Sequence, residues 1–442
     1  MRALILTFGT HGDVQPYVAP ASGLLASGRA AAICTAEGFR TLVTEAGVPY
    51  EHMSNDMLEL VQSAMLGMAG PAEAMQLARR MAAAMRSSLV DQWEAARRFG
   101  PDVLVYHPKV LGGLHIAERL GVPAVLSLPC PSSPRPKAFP IPFVGRWPFG
   151  GTLNRASYQF NRFTAVAYGG MINSFRRKAL GLSRMSRLTD YLHHSDGRPV
   201  PVLYAYSPAV VPVPPDYPAH AHVTGYWFLD GQRSAQPPTG LLDFIQAGPP
   251  PIYVGFGSMG FGRNATERGR TVVQAVTNAG LRAVIATGWG GLRVDSRSDR
   301  IYVIDQVSHD WLFPRMAAVV HHGGAGTTAA GLRAGRPTLI CPVVGDQGFW
   351  GERIRDLGLG PAALPVRRLT VAELTPRLLE LTSTQGYRER ATALARRLAA
   401  EDGVANAIRV IEKLRSTPNP GRGGAPRTDG WPQREARTRR RQ

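Results

Sequence analysis

Short apolar runs alternate with amphipathic stretches along most of this chain, and their order predicts a fold before any chemistry is considered. Arg2 to Thr7 reads as a strand, Val14 to Ser27 as a helix, Ala30 to Thr35 as a strand and Phe39 to Ala46 as a helix. A further strand starts at Pro101-Asp102-Val103-Leu104-Val105-Tyr106, followed by a helix from about Gly113 to Leu120 and a strand from Ala124 to Leu128. The same alternation resumes from Pro251 to Leu414. Strand, helix and strand in succession imply parallel sheets, because only a crossover helix returns the chain to the same end. Between the two series, Val211-Pro212-Val213-Pro214-Pro215-Asp216-Tyr217-Pro218 and Gln232 to Gly240 are Pro-rich connectors that cannot be regular elements. The predicted architecture is therefore α/β, with two Rossmann-like domains facing a cleft. Its parts are 1–215, a linker over 216–240, a second domain over 241–415, and a tail over 416–442. A length of 442 residues agrees, since it exceeds what one hydrophobic core usually supports.

Composition narrows the classes. No run of 18 apolar residues occurs, and Ala3-Leu4-Ile5-Leu6-Thr7-Phe8 is too short for a signal segment before His11 and Asp13 interrupt it, so a cytoplasmic protein is expected. Cys34, Cys130 and Cys341 have neither disulfide nor metal-ligand spacing and read as buried thiols. The net charge of +19 invites a nucleic-acid partner, but its distribution argues against one. Ser416 to Gln442 carries seven Arg and two acidic residues amid Pro and Gly, the composition of a disordered tail. The remaining excess is spread over the body in pairs such as Arg79-Arg80 and Arg396-Arg397, which read as solvated helix faces. The charge also admits weak association with an anionic membrane surface.

The densest chemistry lies at His321-His322-Gly323-Gly324-Ala325-Gly326-Thr327-Thr328, between an apolar strand, Ala317-Ala318-Val319-Val320, and a stretch from Thr328 to Ala334 that reads as helix. Glycines at a strand-to-helix turn let the backbone approach a ligand, and free N–H groups at a helix start attract phosphate oxygens. His322 adds a side-chain donor. The alternative is a plain tight turn, which any doubly wound protein needs. Two further strand ends favour the ligand reading. Ile252-Tyr253-Val254-Gly255-Phe256-Gly257-Ser258-Met259 ends in a Gly-Ser turn, and Cys341-Pro342-Val343-Val344-Gly345-Asp346-Gln347 ends in a carboxylate and an amide suited to sugar hydroxyls.

Together HHGGAGTT, GFGS and GDQ with its following FWG resemble the inverting nucleotide-sugar glycosyltransferases of the GT-B fold, in the branch of sterol 3-beta-glucosyltransferases and bacterial antibiotic glycosyltransferases. Gly9-Thr10-His11-Gly12-Asp13-Val14-Gln15-Pro16 is similar to that family's first loop, and the likeness runs over nearly all of residues 1 to 415. It implies a nucleotide-sugar donor as co-substrate, with no other cofactor, and a hydrophobic small-molecule acceptor. UDP-glucose to a sterol, triterpenoid or polyketide is the first expectation, and a TDP-deoxysugar to a macrolide is the alternative. A GT-B-like epimerase fits less well, because Pro- and aromatic-rich loops favour open access for a second substrate. A non-catalytic partner protein would not be expected to keep His322, Asp346 and Gln347.

The resemblance also assigns roles. An acceptor hydroxyl must lose its proton as it attacks the anomeric carbon, while the diphosphate leaves with growing negative charge. Asp13 stands where relatives carry the general base, and His11 either orients it or acts as the base itself. The other reading of Asp13 is an N-cap for the helix at Val14. Ser258, His322, Gly324, Gly326, Thr327 and Thr328 fall to the phosphates, main-chain groups around Val307 to the nucleobase, and Asp346 with Gln347 to the sugar. Trp311 either stacks on the base or belongs to a core turn. Without an Asp-x-Asp pair in the chain, the expectation is that no metal takes part. Seven methionines between Met53 and Met85, at helical spacings, read as core or as acceptor wall. The loop from Pro129 to Gly151, with Phe139, Phe143, Trp147 and Phe149, points to a large apolar acceptor.

Overall fold

The computed structural model describes residues 1–65, 71–144, 150–186, 191–194, 196–229, 238–257, 264–288, 291–294 and 298–415. Its first sheet holds seven strands: β1 (Arg2–Leu6), β2 (Ala30–Ala36), β3 (Tyr50–Met53), β4 (Val103–Tyr106), β5 (Ala124–Leu128), β6 (Val202–Tyr204) and β7 (Ala221–Val223). They lie in the order β3-β2-β1-β4-β5-β6-β7 and every pairing is parallel. The second sheet holds β8 (Ile252–Gly255), β9 (Ala283–Ala286), β10 (Ile301–Ile304), β11 (Val319–His321) and β12 (Thr338–Ile340), in the order β10-β9-β8-β11-β12, also all parallel. Residues such as Leu4, Val105, Val254 and Val320 are fully buried because helices cover both faces, and so the strands are written as unbroken apolar runs.

In each sheet the strand order reverses at one place, between β1 and β4 in the first and between β8 and β11 in the second. Neighbouring chains leave such a point in opposite directions, which opens a crevice at the carboxyl ends of the strands. The chain leaves these two crevices into the helix start that carries Asp13 and the turn that carries His322.

Two helices begin earlier than their apolar periodicity predicts. The first spans His11–Ala26 rather than starting at Val14, and the one after β11 spans Ala325–Arg333 rather than starting at Thr328. The predicted linker from residue 216 also contains β7, the edge strand of the first sheet.

Among the described contacts that bind the halves together, two use whole helices. The last helix, Gly403–Arg415, returns to the first: a side chain at Gly23 would strike Val404 and Ile408, and Arg29 pairs with Glu412 at 2.9 Å. The helix Gln347–Asp356 docks through Trp350, fully buried and edge-on to Tyr206, through Phe349 against Phe139, and through Arg353, which donates to the Val210 carbonyl at 2.7 Å. Cys34, Cys130 and Cys341 are buried free thiols, as read from the sequence. No helix among the described residues is long and apolar enough to cross a membrane.

Candidate active site

Asp13 is the third residue of its helix, not the residue that precedes it. Its Oδ2 accepts from the Thr10 backbone N–H at 2.7 Å and the Thr10 hydroxyl at 3.0 Å, closing the helix start reciprocally. The same oxygen takes the Lys109 ammonium at 2.7 Å, and Oδ1 faces His107 Nε2 at 3.4 Å. The Lys109 backbone N–H donates to His107 Nδ1 at 3.2 Å, which puts the ring proton on Nε2, toward Asp13. Burial alone would raise the Asp13 pKa. The Lys109 charge, the electrostatic pull of His107 and the hydrogen bonds from Lys109 and Thr10 outweigh it and hold the carboxyl below its ordinary value. Capping and ionisation therefore coexist at Asp13.

His107 and Lys109 are missing from the sequence reading, which stops at Tyr106. The polar residues that leave a buried strand beside β1, at the point of reversal, are the signal that finds them.

On the facing side, His322 lies between two glycines. A Cβ on Gly257, whose φ is +59°, would sit 3.0 Å from its Cε1, and one on Gly324 only 2.6 Å from its Nε2. Neither position can carry a side chain while the imidazole is there. Burial pushes the His322 pKa down to about 4, and its Nδ1 is a buried atom without a hydrogen-bond partner among the described residues. Gly324 precedes the helix with extended backbone, leaving the N–H groups of Ala325, Gly326 and Thr327 in the first turn with no intrahelical acceptor. Thr328 is different: it is buried and its hydroxyl donates to the Gly324 carbonyl at 2.9 Å, bracing the turn from behind. His321 is fully buried below, with Nδ1 accepting from the Gly323 N–H at 3.0 Å.

Asp346 and Gln347 begin the docking helix. Asp346 accepts from Trp350 Nε1 at 2.8 Å, and burial, reinforced by the Asp13 charge, raises its pKa against the pull of Trp350 and Lys109. The influence of the Asp13 charge on Asp346 brings the two carboxylates within electrostatic reach across the junction of the two halves. Gln347 is buried and its Oε1 accepts from the Val343 and Val344 N–H groups at 2.7 and 3.1 Å, so the carbonyl holds the turn and the amide NH2 is left to donate outward. Val307 and Trp311 pack against the cluster around Leu312 and Phe313, and Arg315 covers one face of the Trp311 ring at 4.5 Å. His11 is partly buried, with its pKa lowered by burial, and its charge would bear on His309 and so across the junction. Ser258 lies outside the described residues, as do Met68, Trp147 and Phe149. Met53, Met57 and Met85 are buried in the core behind the first sheet, so these three support the core reading.

Among the described residues, no group of three or more His, Cys, Asp or Glu is placed to hold a metal ion. What the arrangement offers instead is an ionised carboxylate on one side and neutral donors on the other. His107, His309 and His322 all fall to about 4 through burial, as does His115 in the core beneath. A histidine depressed in the fold resists protonation there, while the unfolded chain protonates near its ordinary value of 6.5. Stability is therefore lost as pH falls from about 6.5 toward 4, by roughly 1–2 kcal/mol for each such histidine. Asp346, its pKa raised, opposes this trend, while Asp13, its pKa lowered, adds a further loss only below its ordinary value of 3.8. The thermal midpoint should fall by about 5 °C or more between pH 7 and pH 5. A midpoint constant over that range in circular dichroism would refute the neutral-histidine assignment.

Similarity to known proteins has the same two-part layout. The glycosyltransferase family 28 N-terminal domain matches residues 3–134, and the erythromycin biosynthesis protein CIII-like C-terminal domain matches residues 290–414. A sterol 3-beta-glucosyltransferase of Cryptococcus neoformans is 36% identical over 93% of this chain and 27% of its own length. One from Neosartorya fischeri is 37% identical over 93% of this chain and 29% of its own. The chain thus spans under a third of the length of these relatives. In structure, the Streptomyces sp. SF2575 glycosyltransferase SsfS6, complexed with thymidine diphosphate, superposes with a TM-score of 0.59 at 19% identity, covering 93% of this chain and 99% of the other.

Proposed function

We propose that this chain, whose fold and two domain matches are those of GT-B glycosyltransferases, moves a hexose, glucose first, from a nucleoside diphosphate donor to a hydroxyl of a sterol-like hydrophobic acceptor, with inversion at the anomeric carbon. The division of labour follows the two crevices, with the acceptor on residues 1–215 and the donor on residues 241–415. Two features together carry the reading: Asp13, ionised in the first turn of the helix that follows β1 and within electrostatic reach of Asp346, and in the second half the glycine-flanked His322 with the open helix start after Gly324. Asp13 takes the acceptor proton, aided by His11 at the same helix start. His322 Nδ1 and the N–H groups of Gly326 and Thr327 meet the charge that develops on the leaving diphosphate. Asp346 and the Gln347 amide read the sugar hydroxyls. Ser258, three residues beyond β8 in the sequence, is assigned to the phosphate site, and main-chain groups around Val307 to the base.

A second reading has its own support. The match of residues 290–414 to an erythromycin-pathway domain and the likeness to an enzyme complexed with thymidine diphosphate favour a TDP-deoxysugar donor and an antibiotic aglycone.

One assay separates these. Purified chain is incubated with UDP-glucose, a TDP-deoxysugar and a panel of sterols and macrolides, and products are read by mass spectrometry and NMR. We expect a β-glucoside from the α-linked UDP donor, formed at full rate in excess EDTA because backbone donors and a histidine, rather than carboxylates, face the phosphates. A product only from the deoxysugar selects the second reading. An α-linkage removes the inverting assignment, and strict dependence on Mg²⁺ or Mn²⁺ removes the metal-free one.

A further inference from the structure

Residues 119–189 contain eleven Arg and Lys and not one Asp or Glu, so this short stretch supplies more than half of the net charge of +19. Within it the helix Phe160–Lys178 departs from ordinary amphipathic design. Its inner face is apolar, with Ile172 and Phe175 buried in the core of the first half. Its outer face is apolar as well: the exposed positions Phe160, Phe163, Val166, Ala167 and Gly170 follow one another at helical spacing. Phe163 is 70% exposed. Its ring lies 6.4 Å from that of Phe160, which lies 6.5 Å from that of Phe143, so three phenyl rings run in a chain over the surface. Leu153, half exposed on the preceding helix Gly151–Ser157, stands in the same stretch. A contiguous aromatic and aliphatic surface of this kind marks an interaction site.

The charge around it selects the occupant. Lys137, Arg177 and Lys178 are exposed, with Arg177 beyond Gly170 on the outer face of the helix. Arg176 is not part of this set, being buried against Glu118 at 2.6 Å, and Arg155 is already paired with Asp216. Apolar rings flanked by long basic side chains, in a stretch without an acid, complement a surface that is hydrocarbon within and anionic at its face. Nucleic acid would answer the charge but leave Phe163, Val166 and Leu153 in contact with nothing apolar.

We propose that this face docks on an anionic lipid bilayer, with Phe143, Phe160 and Phe163 entering the headgroup boundary and Lys137, Arg177 and Lys178 meeting lipid phosphates. For its purpose, delivery of a membrane-dissolved acceptor to the first half, the inference rests on the glycosyltransferase reading. The docking itself does not.

The test is co-sedimentation of the full chain with vesicles of phosphatidylcholine alone or mixed with phosphatidylglycerol. Binding to the mixed vesicles should be about tenfold tighter and should weaken with added salt. The double substitution Phe160→Ser with Phe163→Ser should lower it about tenfold. Lys137→Glu with Arg177→Glu should erase the preference for the anionic lipid. Circular dichroism and the thermal midpoint report folding for both variants, whose altered positions are solvent-exposed. Equal sedimentation of folded phenylalanine variants and parent overturns the proposal, as does binding to duplex DNA that exceeds vesicle binding and is lost with the same basic residues. An absence of transferase activity beside intact vesicle binding would strike the catalytic reading alone.

Discussion

Asp13→Ala should lower turnover by about 10²- to 10⁴-fold while leaving donor affinity nearly unchanged. The expectation follows from what the carboxylate has around it. Oδ2 already accepts from Lys109, the Thr10 N–H and the Thr10 hydroxyl, so Oδ1, whose one polar contact among the described residues is His107 Nε2 at 3.4 Å, is the oxygen open to the proton of an acceptor. Lys109 and His107 keep the group ionised against the burial that would neutralise it, and ionisation is the state a base must hold before reaction. His107 cannot take that part, because its Nδ1 is occupied by the Lys109 N–H and its Nε2 carries the proton. Asp13→Asn is the companion, since it keeps the shape and the Thr10 contacts while removing the basic oxygen. The two variants should lose turnover alike. If Asp13→Asn keeps more than about a tenth of the activity, or if donor binding by calorimetry falls as far as turnover, Asp13 is structural. Full inactivation by His11→Ala with activity retained in Asp13→Ala would transfer the role of base to His11.

Much of the fold was legible because buried parallel strands are written as continuous apolar runs. The helix Gly113–Leu120 and the strand Ala124–Leu128 were read to the residue. The misreadings share one cause. At Thr10-His11-Gly12-Asp13 and at Gly324-Ala325-Gly326-Thr327 the helix opens with small or polar residues, because its first N–H groups look outward for a partner and an apolar side chain there would block the approach. Hydrophobic periodicity therefore starts one turn late in both places, and that lost turn is where the candidate site lies. Lys109 was invisible for another reason. Its partner Asp13 lies 96 residues away in sequence, and only the pairing of β1 with β4 brings the two loops side by side. The strands β6 and β7 were too short, and too close to prolines, to show a pattern of their own.

The other large effect is expected at His322. A leaving diphosphate gains negative charge in the transition state, and a donor aimed at it before the reaction is worth far more than one that must reorganise. His322 meets both conditions for such a donor. Gly257 and Gly324 hold its ring on either side, and Nδ1 is buried with nothing in the described protein to bond. Its pKa of about 4 means the ring is neutral in the working range and donates through one nitrogen without carrying a charge of its own. His322→Ala should therefore reduce kcat by about 10²- to 10³-fold, the scale for losing one preorganised donor, with a smaller rise in donor KM. His322→Gln, which restores an N–H of similar reach, should recover part of the loss. The pH profile separates this role from that of a cationic clamp. A neutral donor predicts no titration of kcat near pH 6.5 that disappears with His322→Ala, whereas a protonated imidazolium would give a rise in kcat toward acid pH that the substitution removes. Gly324→Ala provides the independent check, because its Cβ would press into Nε2 and displace the ring, and it should reproduce the turnover loss with His322 still present. Normal turnover in a folded Gly324→Ala protein would show that the position of the ring is not what the reaction depends on.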